Sequence, residues 1–209
     1  MIWITAIVFG IGYLCGSLPT GLLAGRLRGV DVRKEGSGNI GATNVLRVLG
    51  KPWGFGVFLV DALKGFLAVR LSLLLIGQNP AAVQYSEFFA ILAAAASILG
   101  HSFPIWLRFK GGKGVATSVG SIFGVMPLAA LSIFSVWLVV FISTRYVSLA
   151  SIIGALSLPV AVAVLVWFKI TQGMVLLYFS IAMTALVVWR HRTNMVRLLN
   201  GTEPRFKKE

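Results

Sequence analysis

Acidic residues are scarce: the 209-residue chain has 6 Asp and Glu against 19 Lys and Arg. All charged residues together make up 12% of it, whereas a soluble domain carries about a quarter. So few carboxylates offer no cluster suited to Mg²⁺. Cysteine is nearly absent. Cys15 is the only one and lies in an apolar run, which excludes an intrachain disulfide and a cysteine metal cluster. The stretch from Met1 to Ala24 lacks the basic n-region of a cleavable signal, so it reads as a retained helix.

In place of charge there is hydrophobicity. Apolar residues make up 57% of the chain, and apolar runs long enough to cross a hydrocarbon core of about 30 Å recur along it. They cover Met1–Gly25, Phe88–Leu107, Val119–Thr144, Val147–Phe168 and Ile170–Trp189, while Phe55–Ile76 is apolar but contains Asp61, Lys64 and Arg70. The expected fold is an all-α polytopic membrane protein forming a single domain over residues 1–209, with a short basic tail at 198–209. Basic residues cluster between the runs: six from Arg26 to Lys51, then Arg108, Lys110 and Lys113, then Arg190 to Lys208. Positive-inside topology explains this excess without nucleic acid and puts the three clusters, with Asn39, Lys110 and Asn194, on the cytoplasmic side. The segment Gly77–Glu87 has no Lys or Arg, so Asn79 and Met1 are expected outside. An even number of crossings must then separate Lys113 from Arg190. Gly124 and Pro127 are expected to break the Val119–Thr144 run into two short segments, returning Arg145 to the cytoplasm. The result is seven membrane segments, some short or broken, with an external N-terminus and a cytoplasmic C-terminus; the number is five if one run fails to cross.

The polar chemistry concentrates at the borders of these runs. Gly36-Ser37-Gly38-Asn39-Ile40-Gly41-Ala42-Thr43-Asn44, followed by Arg47, combines glycines that let backbone N–H groups approach an anion with neutral side-chain donors and a bidentate cation. It can cradle a phosphate. It is no Walker loop, since no Gly-Lys-Ser/Thr follows, and it has no preceding strand as a dinucleotide site requires. The alternative is a glycine-rich turn with Thr43 or Asn44 as a helix N-cap. In the second basic loop, Lys110 and Lys113 flank Gly111 and Gly112 just before an apolar helix, whose N-terminal dipole would reinforce anion binding; alternatively these lysines only set topology. His101 fits a hydrogen-bonded structural residue, or a base if a substrate hydroxyl lies beside it. Asp61 and Lys64, three apart on a helix, should pair, either as structural glue or as a substrate contact.

Taken together, GSGNIGATNVLRVLG from Gly36, GHSFPIWLRFKGGKGVAT from Gly100, RYVSLAS from Arg145 and RHRTN from Arg190 closely resemble the acyl-phosphate-dependent glycerol-3-phosphate acyltransferases of bacteria, the PlsY family. The resemblance spans nearly the whole chain, with the motifs in order. It implies seven membrane helices in the inner membrane and a site facing the cytoplasm. The implied activity is acyl transfer from acyl phosphate to glycerol 3-phosphate, giving 1-acylglycerol 3-phosphate. No cofactor and no metal are implied; the lipid bilayer and an upstream acyl-phosphate-forming enzyme are the implied partners. By motif, Ser37, Lys113, His191 and Asn194 would be catalytic, while Asn39, Thr43, Asn44, Arg47, His101, Arg145 and Ser148 would bind substrate. Many members of the family have Glu where this chain has Thr193, so an ion pair made by that Glu cannot form here.

The chemistry is consistent with these residue types. Acyl phosphate is already activated, so the protein mainly has to juxtapose two anionic headgroups and stabilise charge developing at the carbonyl. The His-x4-Asp pair of other glycerolipid acyltransferases is missing, because counting on from His101 reaches Trp106 and from His191 reaches Val196. His191, His101 or the substrate's own phosphate could take the hydroxyl proton, and the last is preferred. A transporter or flippase is the main competing class, although no pattern divides the chain into matching halves. A structural membrane subunit would not need four clusters of hydroxyls, amides and cations.

Overall fold

The computed structural model describes residues 1–171 and 174–206. Gln172 and Gly173, inside the expected Ile170–Trp189 crossing, lie outside the described residues, as do Lys207, Lys208 and Glu209 of the basic tail. Among the described residues the regular structure is helical, in two compact units, Met1–Val125 and Met126–Glu209. The first unit holds α1 (Ile2–Ser17), α2 (Thr20–Leu27), α3 (Ala42–Leu49), α4 (Lys51–Gly77), α5 (Ser86–Ser102) and α6 (Val115–Val125). The second holds α7 (Pro127–Thr144), α8 (Val147–Trp167), α9 (Met174–Arg190) and α10 (Arg192–Leu199).

Among the described residues, four helical stretches are long and apolar enough to cross a membrane: Ile2–Leu27, Val83–Leu107, Pro127–Thr144 and Val147–Trp167. A fifth results if α9 and α10, bent by 57°, form one broken span. Large apolar side chains such as Val139 and Val160 are about two-thirds exposed, at 65% and 64%. That surface would be costly in water and is at rest in lipid. The protein is a multi-pass membrane protein.

Proline sets two of the helix breaks. Pro19 has no N–H to continue α1, which stops at Ser17, and Pro127 opens α7 where its missing donor costs nothing. The expected break near Gly124 and Pro127 therefore falls at Met126, although α7 is a full 18 residues rather than a short piece. Within the first unit, helices touch backbone to backbone through small residues. Gly100 of α5 lies against Tyr13 and Ser17 of α1, and Gly120 of α6 against Ala62 of α4; a Cβ at either glycine would strike a carbonyl oxygen. Such contacts suit a bilayer, where apolar burial gives helices little reason to associate and close packing must do so instead.

The buried charges of α4 are partnered. The Asp61 carboxylate accepts from Lys64 Nζ at 2.7 Å and from the Thr20 hydroxyl at 3.0 Å, with His101 Nδ1 at 3.7 Å. Lys64 also donates to the Leu18 carbonyl at 2.8 Å, at the break between α1 and α2. Asp61, Lys64 and His101 are all buried. Of the two roles open to the Asp61–Lys64 pair, this bonding favours the structural one: it ties α4 to the α1–α2 break.

Candidate active site

In the first unit the Arg28–Gly41 loop rests on a small core of its own. Val32 and Ile40 turn inward against Leu22, Val45 and Val57, so apolar anchors pin both limbs of the glycine-rich turn. Asn44, on the first turn of α3, stands beneath it. Its amide nitrogen donates to the carbonyls of Val32 at 2.9 Å and Glu35 at 3.1 Å, and its oxygen accepts the Ser37 N–H at 2.7 Å. Gly36 and Gly38 take φ of 60° and 69°, and a Cβ at Gly36 would run into the Asn44 oxygen. Both N–H groups of the Asn44 amide are thus committed to the backbone of the turn. Neither Thr43 nor Asn44 caps α3, whose N-cap is Gly41 with no side-chain cap.

Asn39 closes the turn by accepting the Gly41 N–H at 2.8 Å. Ser37 and Arg47 are exposed beside it and Thr43 is half-buried. Arg33 grips Asp31 through two hydrogen bonds, at 2.9 and 2.7 Å, which hold the Asp31 carboxyl well below the ordinary range. Gly36, Gly38 and Gly41 do have the spacing of a dinucleotide-binding turn. They lie between two helices rather than after a strand, so the spacing carries no such meaning here.

The second loop folds back on the end of α5. The N–H groups of Gly111 and Gly112 donate to the carbonyls of Ser102 and His101, each at 3.1 Å, and Gly112 lies against the His101 ring. The two glycines are thus tied to the end of α5. Lys110 is exposed, whereas Lys113 is half-buried two residues before α6.

The second unit brings the third and fourth motifs together. Arg145 ends α7 in the left-handed conformation, φ 61°, and Ser148 is buried in the first turn of α8. His191 sits buried at the bend between α9 and α10, with Nδ1 2.8 Å from the Val187 carbonyl. A carbonyl only accepts, so Nδ1 carries a proton. Asn194, one turn into α10, is buried and donates to Glu203 at 2.7 Å.

Residues 6–201 match the family model described as "Glycerol-3-phosphate acyltransferase". The chain belongs to that family. A glycerol-3-phosphate acyltransferase of Thermosynechococcus vestitus is 46% identical, covering 97% of each chain. Another from Aquifex aeolicus is 44% identical over 93% of this chain and 95% of its own. Among solved structures, the glycerol 3-phosphate form of the integral membrane acyltransferase PlsY superposes with a TM-score of 0.84 at 42% identity, covering 97% of this chain and 96% of that one. The lysophosphatidic acid form of PlsY gives 0.81 at 41% identity, covering 97% and 95%.

Glu203 was not among the residues expected to matter. Gly201, φ 68°, reverses the chain after α10, and the N–H groups of Thr202 and Glu203 both donate to the Arg197 carbonyl. The reversal tucks the Glu203 carboxylate under α10 against Asn194 and Arg197, which share a helix face. Farther on, the Phe206 N–H donates to the Arg145 carbonyl at 2.9 Å, and Arg205 lies over the Tyr146 ring. The start of the basic tail is therefore bound to the α7–α8 turn. The one signal available was a lone acid among basic residues just after a Gly-Thr turn.

Proposed function

We propose that the protein transfers a fatty acyl group from acyl phosphate to the 1-hydroxyl of glycerol 3-phosphate, releasing 1-acylglycerol 3-phosphate (lysophosphatidic acid) and phosphate. The observation that carries this reading is the full-length likeness to PlsY at 42% identity, a protein solved both with glycerol 3-phosphate and with lysophosphatidic acid. The reading treats residues 1–209 as one acyltransferase domain at the inner membrane with its chemistry on the cytoplasmic side. Seven crossings are assigned to α1, α4, α5, α6, α7, α8 and α9, the N-terminus outside. Of these, α6 is the shortest: its 11 residues extend about 17 Å, roughly half the hydrocarbon thickness.

The roles follow the chemistry of each group. Ser37, Asn39, Thr43 and Arg47 receive a phosphate over the glycine-rich turn, with Asn44 holding that turn in shape. Lys113 and Arg145 supply positive charge to the phosphates and to the oxyanion that develops as the hydroxyl attacks the carbonyl. Ser148, His191 and Asn194 complete the polar set, and His101 supports the second loop. The hydroxyl oxygen bonds to the acyl carbon, the carbonyl–phosphate bond breaks, and the hydroxyl proton leaves on the phosphate of the donor. His191 is the alternative destination for that proton.

The test is acyl transfer by the purified protein given acyl phosphate and glycerol 3-phosphate, without nucleotide, metal or acyl-CoA. Lysophosphatidic acid should form in step with phosphate. A strict need for acyl-CoA would overturn the donor assignment. No transfer, with movement of lipid or solute across vesicles instead, would favour a transporter.

A further inference from the structure

We propose that the loop Ile105–Lys110 is an interfacial anchor, seated among the headgroups of anionic phospholipids. The proposal concerns the membrane around the protein and does not depend on the acyltransferase reading.

The loop lies where the apolar stretch Val83–Leu107, one of those long enough to cross the membrane, runs out. A single 3₁₀ turn over Ile105–Leu107 is followed by two left-handed residues, Arg108 at φ 50° and Phe109 at φ 61°. That conformation is uncommon for any residue but glycine, and more so for a bulky one. The turn is closed on itself. The Pro104 carbonyl accepts the N–H groups of Leu107 at 3.1 Å and Phe109 at 3.0 Å, and the Leu107 carbonyl accepts that of Lys110 at 3.1 Å. Its base is tied to α1 by the Tyr13 hydroxyl, which donates to the Phe103 carbonyl at 2.7 Å.

Of the six residues only Leu107 turns inward, against the small core beneath the first loop. Ile105, Trp106 and Phe109 are 51%, 63% and 58% exposed. Arg108 and Lys110 are exposed beside them and have no ion pair among the described residues. Water would leave three large apolar side chains stranded. Hydrocarbon would strand two charges. The headgroup layer suits both, with aromatic rings at the boundary and cations beside phosphate. Cations in that layer favour lipids with net negative charge over zwitterionic ones, in which each phosphate already has a cation of its own.

The anchor bears on the second loop as a whole. After Lys110, Gly111 and Gly112 are bonded to carbonyls at the end of α5, and Lys113 follows directly. With Ile105–Lys110 held at the headgroups, Lys113 stays near that depth, where a membrane-borne acyl phosphate carries its anion. This consequence, unlike the anchor itself, rests on the acyltransferase reading.

The test uses the full-length protein with Cys15→Ser and Ile105→Cys, carrying a bimane fluorophore at position 105, in bilayers of equal parts phosphatidylglycerol and phosphatidylcholine. A nitroxide quencher is carried near the top of the acyl chains of one lipid or of the other, and iodide serves as the aqueous quencher. The lipid nitroxide should quench strongly and iodide weakly. Quenching should favour phosphatidylglycerol at least about fivefold in relative binding constant, the factor that corresponds to about 1 kcal/mol from one basic residue near an anionic surface. Arg108→Gln combined with Lys110→Gln should bring this ratio close to one and leave the lipid quenching itself in place, because the aromatic side chains remain. Strong iodide quenching without lipid quenching would put the loop in water, open to a soluble protein instead, and would overturn the proposal. Equal quenching by both lipids in the parent protein, or a preference that survives the double substitution, would refute the headgroup choice and the proposal with it. No turnover is read, so a failed anchor would leave the acyl-transfer assignment untouched.

Discussion

Asn44→Ala isolates the claim that the glycine-rich turn is held from beneath by a side chain that does not itself meet substrate. The substitution removes three hydrogen bonds, to Val32, Glu35 and Ser37. Glu35 and Ser37 lie at exposed positions where water replaces the lost partner, so each bond contributes about 0.5–1 kcal/mol. The Val32 carbonyl is different: its side chain is fully buried, and stranding its oxygen costs about 1–3 kcal/mol. The turn is therefore destabilised by about 3 kcal/mol, enough to lower the population of its ordered form about a hundredfold where that form is only marginally favoured. Turnover of acyl phosphate with glycerol 3-phosphate should fall about 10- to 100-fold in kcat/KM, and limited proteolysis between Gly29 and Gly41 should speed up in parallel. Asn44→Asp retains the acceptor for Ser37 but repels the two carbonyls, so it should loosen the turn as well. Lost activity with unchanged proteolysis would show that Asn44 meets substrate directly, and the argument from its bonding would fail.

Lys113→Ala should lower kcat/KM by about one to two orders of magnitude, the loss of roughly 1.5–3 kcal/mol of charge-assisted bonding, whereas exposed Lys110→Ala should lose much less; equal, small effects would reduce the second motif to a topology signal. In a Cys15→Ser background, an impermeant thiol reagent applied to intact cells should label a cysteine at exposed Gln84 and spare one at exposed Lys110. Labelling at position 110 would overturn the proposed orientation.

Helices that cross apolar space were readable because periodicity hardly matters when every face meets lipid or another helix; run length and proline suffice. Two short helices were not. α3 and α10 each have only 8 residues and carry Arg47, and Arg192 with Arg197, within stretches that read as basic connections, while α2 read as the end of the first apolar run and is split from α1 at Pro19. Their order comes from tertiary support, such as the small core under the first loop, which a linear reading cannot weigh. The same limit applies to polar residues. Sequence spacing marks Asn39 and Asn44 as equivalent amides on a glycine-rich turn. The folded turn separates them, closing Asn39 on its own stretch of backbone and burying Asn44 under the loop with both N–H groups engaged. Glu203 shows the reverse case, a residue of no apparent interest delivered to Asn194 by a reversal at Gly201.

Pro159 shows how far such compensation extends beyond any motif. It lies inside α8, where it cannot donate to the carbonyl four residues earlier, that of Ala155. In water that oxygen would be solvated; within a bilayer it needs a partner from the protein. The hydroxyl of Thr184 on α9 donates to it at 2.7 Å, so a vacancy in one helix is filled by the next and the two are held together at that level. Thr184 is only 8% exposed, which leaves no room for lipid or water to substitute. Thr184→Val preserves shape and removes the donor. It should lower the thermal midpoint through a loss of about 1–2 kcal/mol, within the range for stranding a buried acceptor, with KM for glycerol 3-phosphate unchanged. In a Pro159→Ala background, residue 159 can donate to Ala155 itself, so the same Thr184→Val change should cost markedly less. Equal losses in both backgrounds would mean that Thr184 stabilises the α8–α9 contact by packing alone and that the orphaned carbonyl is satisfied in another way.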